Sequence, residues 1–142
     1  MGNMAGYRKA WIQAAEYKKS WDEYLKDSGS RSLSNTPTRN LCLETLAGVL
    51  EGDIRIHNHC YKIDEMAQMI DMSKEFDYKI VAFHHAVEAY KAAPMLAKKG
   101  IWGVMWADWW GFKQEAFDMV RENIALVDYA QACAVIHSDN PI

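Results

Sequence analysis

Five histidines are the residues best suited to chemistry in this 142-residue chain, and they are not scattered. His57 and His59 stand two apart, His84 and His85 are adjacent, and His137 precedes Asp139 by two. Each group closes a short apolar run, and Asp108 closes another. Neutral imidazoles bind divalent metals, and a neighbouring carboxylate can bind metal or take a proton from bound water. The constellation His59, His85 and Asp139, with His57, Asp108 and His137 nearby, is therefore what a metal centre needs. Side chains alternate along a strand, so His57 and His59 share a side while His84 and His85 face opposite sides. At most one of that second pair is expected to face inward, and spacing does not say which. Cys60 is expected on the strand face opposite His59, away from a ligand role. Trp106, Asp108, Trp109 and Trp110, with Phe112, crowd the end of one run, either as a substrate-pocket wall or as a loop packed on neighbouring helices.

The elements that must position these groups are legible from periodicity. Tyr7, Trp11, Ala14, Tyr17, Trp21 and Tyr24 recur every three or four residues, which predicts a long amphipathic helix over 6–26. Residues 28–40 (SGSRSLSNTPTRN) have turn-forming composition and no structural period, so they are expected to form a flexible surface loop. A shorter helix is predicted over 41–50, with Gly52 placed to stop it. From there apolar runs at 53–59, 79–85, 101–108 and 132–139 alternate with helical patterns at 64–76, 87–98 and 114–130. Strand–helix alternation of this kind implies a parallel sheet with helical crossovers. All five histidines then fall at the C-terminal rim of the strands, where α/β enzymes gather reacting groups from several loops. The methionines at 66, 69, 72, 95, 105 and 119 are read as core packing.

Composition removes several classes of function. Half of the residues are hydrophobic and 12% aromatic, enough for a substantial core and against a disordered chain. No apolar run approaches the length of a membrane span. Sixteen Lys and Arg against 19 Asp and Glu, with no basic stripe, argue against nucleic acid and anionic membrane as partners. Three widely spaced cysteines without CxxC fit a reducing compartment, and neither a secretory leader nor a myristoylation signal is recognisable. A cytoplasmic protein acting on a small molecule is the expectation. No strand leads into a Gly-rich phosphate loop, which disfavours nucleotide binding.

Four segments in order, IRIHNHCY (54–61), FHHAVEAYK (83–91), WWGFKQEA (109–116) and HSDNP (137–141), resemble the second half of a metal-dependent amidohydrolase of the imidazolonepropionase-like group. The resemblance covers nearly the whole chain and is loosest in the Ser-rich loop. It implies one partial TIM-type (β/α)8 barrel domain over 1–142, covering about strands 5 to 8 with their helices and preceded by the long amphipathic helix. It further implies that His59 is the strand 5 metal ligand, His85 the strand 6 ligand and Asp139 the strand 8 aspartate. His57 is the rival for the strand 5 role, and His59 is preferred because it lies nearer the strand end. The metal, one or two ions and typically zinc, would acidify bound water. Asp139 would orient that water, accept its proton and pass it to the leaving nitrogen. His57 and His137 remain as metal or substrate contacts, and Trp106, Asp108, Trp109 and Trp110 as pocket residues.

The departure from the family pattern carries equal weight. Nothing before residue 54 resembles strands 1 to 4, and a complete barrel takes roughly 250 residues. The expectation is a fragment of a hydrolase acting on an amide or cyclic amide C–N bond, non-peptide or dipeptide-like, and inactive by itself. Its open sheet edges would favour a homo-oligomer. The competing expectation is a non-catalytic half-barrel interaction module whose rim histidines are structural.

Overall fold

A computed structural model describes residues 2–27, 32–111 and 113–139. The chain divides into two compact units: one runs to Ile54 and includes Phe76–Tyr78, and the other comprises Arg55–Glu75 and the chain from Lys79 onward.

The first unit is helical. Helix α1 (Gly2–Lys26) carries the predicted aromatic stripe. Trp11 and Ala14 are its buried residues, and Trp11 stacks on Tyr78 at 4.3 Å between ring centroids. Trp21 meets Tyr17 and Tyr24 edge-on, while Tyr7 on the same stripe is exposed. Residues 28–31 of the predicted loop lie outside the described residues, and the next stretch contains a 3-10 turn, Leu33–Asn35. Helix α2 (Leu41–Glu51) starts where the Asn40 side chain accepts hydrogen bonds from the amides of Cys42 and Leu43. That cap satisfies two of the donors a helix start leaves open. The helix stops at Gly52, whose φ of 87° is accessible to glycine at little cost. The amides of Asp53 and Ile54 then bond back to Gly48 O, which is why the next strand starts later than its apolar run.

The second unit holds the sheet. Strands β1 (Ile56–Cys60), β2 (Ile80–His85), β3 (Trp102–Trp106) and β4 (Ala134–His137) are all parallel and ordered β1-β2-β3-β4. Helices α3 (Ile63–Glu75), α4 (Ala89–Lys99) and α5 (Asn123–Tyr129) form the crossovers. Met66, Met69, Met72, Met105 and Met119 are buried, as core packing requires. Phe83, Gly103 and Met105 lie on the face turned to the helices; a Cβ on Gly103 would stand 3.6 Å from Val127 of α5. Register places His59 beside His84 and Trp106 beside His137, so the other face carries the histidines.

Two expectations are corrected. The helix predicted over 114–130 is a 3-10 turn, Gln114–Ala116, then irregular chain, then the short α5. Tertiary contacts hold that segment: Ala116 and Met119 are buried against Val87 and Trp106, while Asp118 pairs with Lys91 Nζ at 3.1 Å and its carbonyl accepts from the Tyr90 hydroxyl. The second correction concerns His84 and His85, which do not diverge. His85 and Ala86 have φ of 66° and 38°, so the regular alternation ends at His85 and both rings reach the same cluster.

Candidate metal centre

The five histidines form one continuous cluster at the C-terminal ends of β1, β2 and β4. His57 Nδ1 lies 2.9 Å from His84 Nε2, and His59 Nδ1 lies 2.8 Å from His85 Nε2. The His59 ring stacks on His84 at 5.5 Å, and His137 stands 5.2 Å from His85 and 5.8 Å from His84, centroid to centroid. Asp139, just past β4, brings Oδ2 to 3.4 Å from His85 Nδ1 and Oδ1 to 3.3 Å from His137 Nδ1. Donor atoms of His85, His137 and Asp139 all lie within 4.8 Å of one another. The His85 backbone amide donates to His137 Nε2 at 3.3 Å, which places that ring's proton on Nδ1, toward Asp139.

This turn is costly and is held from outside. A non-glycine residue in the left-handed region costs about 1–2 kcal/mol, and here two follow in succession. Asn123, buried at the start of α5, clamps them: its Nδ2 donates to Ala86 O at 3.0 Å and Val87 O at 3.2 Å, and its Oδ1 accepts from the Tyr90 amide at 2.8 Å. The amides of Ala86 and Glu88 donate to the carbonyls of Cys60 and Tyr61, tying the turn to the end of β1. The buried Glu88 carboxylate accepts from the Ile63 amide and pairs with Lys91 at 3.2 Å. Sequence reasoning missed Asn123 altogether and left Glu88 without a role. The available signal was a polar residue inside an otherwise apolar helical face.

Around the histidines stands an aromatic wall. Tyr61 lies flat on His85, with centroids 4.9 Å apart and planes 5° from parallel. Trp106 stands 4.8 Å from His85, and Trp109 5.0 Å from Trp106. Trp106 and Trp109 are thus brought to the site, whereas the other pocket candidates of this loop are not. Trp110 is 61% exposed and meets Phe117, and Asp108 points outward, 3.9 Å from Arg121 Nε. Phe112 and residues 140–142 lie outside the described residues. Tyr61 and Lys113 are wall residues that spacing alone did not single out.

Burial pushes His85 down to about 4; the Asp139 carboxylate opposes that shift, and His59, His137 and Lys113 reinforce it. His84 is lowered by the same cause, helped by His57, His59 and His137 and opposed by Asp139. Both rings are therefore held neutral at ordinary pH, the form in which an imidazole can bind a metal. Burial, with Glu65 and Asp64 adding to it, raises the Cys60 thiol to about 12, so it stays protonated and is a poor ligand. The sign of the linkage follows. The unfolded chain protonates His85 near 6.5 and the folded chain only near 4, so stability is full above 6.5 and falls as pH drops through that window. Urea midpoints of metal-free protein are expected to decline from pH 7 to pH 4; a flat profile would show His85 solvated in the folded state.

The donor set fits a divalent transition metal. His85 Nδ1 is buried without a hydrogen-bond partner, yet it stands 3.4 Å from a carboxylate oxygen and its ring is in contact with three other imidazoles or carboxylates. A cation among these atoms would satisfy the buried nitrogen, and imidazole with carboxylate suits zinc and its neighbours.

No protein-family profile matches the chain. Among curated proteins, amidohydrolase tasK of Hapsidospora irregularis is 28% identical over 152 residues, covering all of this chain and 15% of that protein. Among solved structures, the crystal structure of an amidohydrolase from Thermotoga maritima MSB8 superposes with a TM-score of 0.88 at 24% identity, covering all of this chain and 36% of that one. The chain therefore spans well under half the length of each protein it matches. In sequence the chain is thus similar to one amidohydrolase and in fold to part of another, its four parallel strands matching part of a TIM barrel.

Proposed function

We propose that this chain carries the metal-binding rim of a hydrolase that cleaves an amide or cyclic amide C–N bond in a small molecule, non-peptide or dipeptide-like, in the manner of the imidazolonepropionase-like group. The observation that carries the reading is the cluster itself: histidines from β1, β2 and β4 and Asp139 converge, with His85 Nδ1 buried and unsatisfied among them. His85 and Asp139 are assigned as ligands of a divalent cation, zinc first, with His137, whose donor atom lies within 4.8 Å of theirs, as the third; His59, the ligand expected from the sequence, faces the opposite nitrogen of His85 and stands as a further ligand on that side. When bound, such a cation supplies a Lewis acid that polarises the scissile carbonyl and brings the pKa of water toward neutrality. Asp139 takes a proton from the attacking water and returns it to the leaving nitrogen. His137 holds Asp139 from its Nδ1 side, and His57 lies next in line as a metal or substrate contact. Tyr61, Trp106 and Trp109 exclude water from one side of the reacting group. The edge strands β1 and β4 are where further strands, of a complete barrel or a second copy, would add. Among the described residues no helix is long and apolar enough to cross a membrane.

Thermal unfolding with zinc chloride and then EDTA tests this reading. A ligand that binds only the folded state stabilises it by about 2.7 kcal/mol at a hundredfold excess over Kd, so a rise of several degrees reversed by chelation is expected. A midpoint indifferent to both would favour structural histidines and a non-catalytic module.

A further inference from the structure

Glu88 carries a charge where little water reaches it: it is 3% exposed, on the turn between β2 and α4. Burying a carboxylate is costly, and an apolar side chain of similar volume often gives equal or greater stability. What an apolar residue does not supply is a pair of acceptors at fixed points. Both oxygens of Glu88 are used in that way. Oε2 accepts from the Ile63 amide at 3.0 Å, at the start of α3, and Oε1 pairs with Lys91 Nζ at 3.2 Å, which also reaches Asp118 at 3.1 Å. The backbone amide of Glu88 donates to Tyr61 O at 3.0 Å. One residue thus takes hold of two points, Tyr61 and Ile63, in the short connection from β1 to α3. Glu65 holds the same connection from the helix side, its Oε2 accepting from the amides of Tyr61 at 3.2 Å and Lys62 at 3.1 Å. The Tyr61 side chain therefore leaves a backbone with little freedom, and its ring lies 5° from parallel to the His85 imidazole. His85 stands three residues before Glu88, on the same turn. The buried carboxylate accordingly ties the loop that carries the phenol ring to the turn that carries the imidazole.

We propose that Glu88 is a positioning residue for the candidate metal centre: it holds Tyr61 flat against His85 and so fixes the imidazole in the orientation that presents it to the cation. The inference rests on the metal-centre reading for its consequence and on the contacts above for its geometry.

A phenol ring lying flat on an imidazole shields the imidazole's carbon-bound protons. Proton NMR of the metal-free protein in mildly alkaline buffer, with the His85 resonances assigned by His85→Asn, reads that shielding directly. Tyr61→Leu is expected to abolish the upfield shift, and Glu88→Leu to abolish it as completely although Tyr61 is intact. Glu88→Gln, which keeps an oxygen for the Ile63 amide, should retain most of it. Glu88→Asp, one methylene short of that amide, should lose the shift, and it is the second variant should Glu88→Leu fail to fold. Ile70→Ala, a truncation of a buried side chain in α3, controls for lost stability and should leave the shift in place. Zinc affinity, measured with zinc chloride against a chelating dye, should fall about tenfold or more in Glu88→Leu and recover in Glu88→Gln. A shift that survives loss of the Glu88 carboxylate, one lost equally in Ile70→Ala, or unchanged zinc affinity in a variant that has lost it overturns the proposal. The two readings fail separately. A Glu88-dependent shift in a protein that binds no zinc leaves the positioning of the ring and removes the metal centre; zinc binding with a shift indifferent to Glu88 does the reverse.

Discussion

His85→Asn is expected to lower the affinity of the proposed site for zinc by more than about a hundredfold, the upper end of what loss of an outer-shell metal partner costs. Asparagine is the informative substitution because His85 sits at a φ of 66°, a region asparagine enters more readily than alanine. The turn should therefore persist while the imidazole is removed. His85 is the hub of the cluster: its Nε2 meets His59, its Nδ1 faces Asp139, its backbone amide orients His137, and Tyr61 and Trp106 cover its ring. Elemental analysis of purified protein, with circular dichroism as the control for folding, checks the expectation. Full metal content in a folded variant would move the site away from His85 and leave the His57–His84 pair as the next place to look.

Asn123→Ala is expected to cost about 3 kcal/mol of stability, through a residue that touches no candidate ligand side chain. The substitution leaves two carbonyls and one amide without their partner in buried surroundings, and each such group carries a desolvation penalty. It also releases the His85–Ala86 turn, so metal affinity should fall with stability. Asn123→Asp keeps the acceptor for the Tyr90 amide but turns a carboxylate onto two carbonyl oxygens, and it should be no better tolerated. Urea unfolding of the metal-free protein, followed by zinc titration, separates the effects. A loss below about 1 kcal/mol would mean that the hydrogen bonds from Ala86 and Glu88 to the end of β1 hold the turn without help.

Much of the fold was legible because its signals are local. The three- and four-residue spacing from Trp11 to Tyr24 marked α1, Gly52 marked the end of α2, and each histidine group marked the end of a strand. The failures share a cause. Residues 117–122 have helical spacing, but Asp118 and Met119 find partners on α4 and in the aromatic cluster, and those contacts outweigh propensity. Asp108 and Trp110 stood beside the candidate site in sequence and lie away from it in space, since a loop's direction depends on what it packs against.

By itself the sequence determined the parallel α/β class and the gathering of the histidines at the C-terminal ends of the strands, because hydrophobic period and strand ends depend on near neighbours. The tertiary structure alone decided which nitrogens meet. A left-handed turn, held by Asn123 from 37 residues downstream, swings His85 onto the face where strand alternation would not have put it. The stacking of Tyr61 on that ring, and the contact of Lys113 with Tyr61, come likewise from separate strand-end loops. Pairings across such distances follow from packing and backbone strain, which no local pattern records.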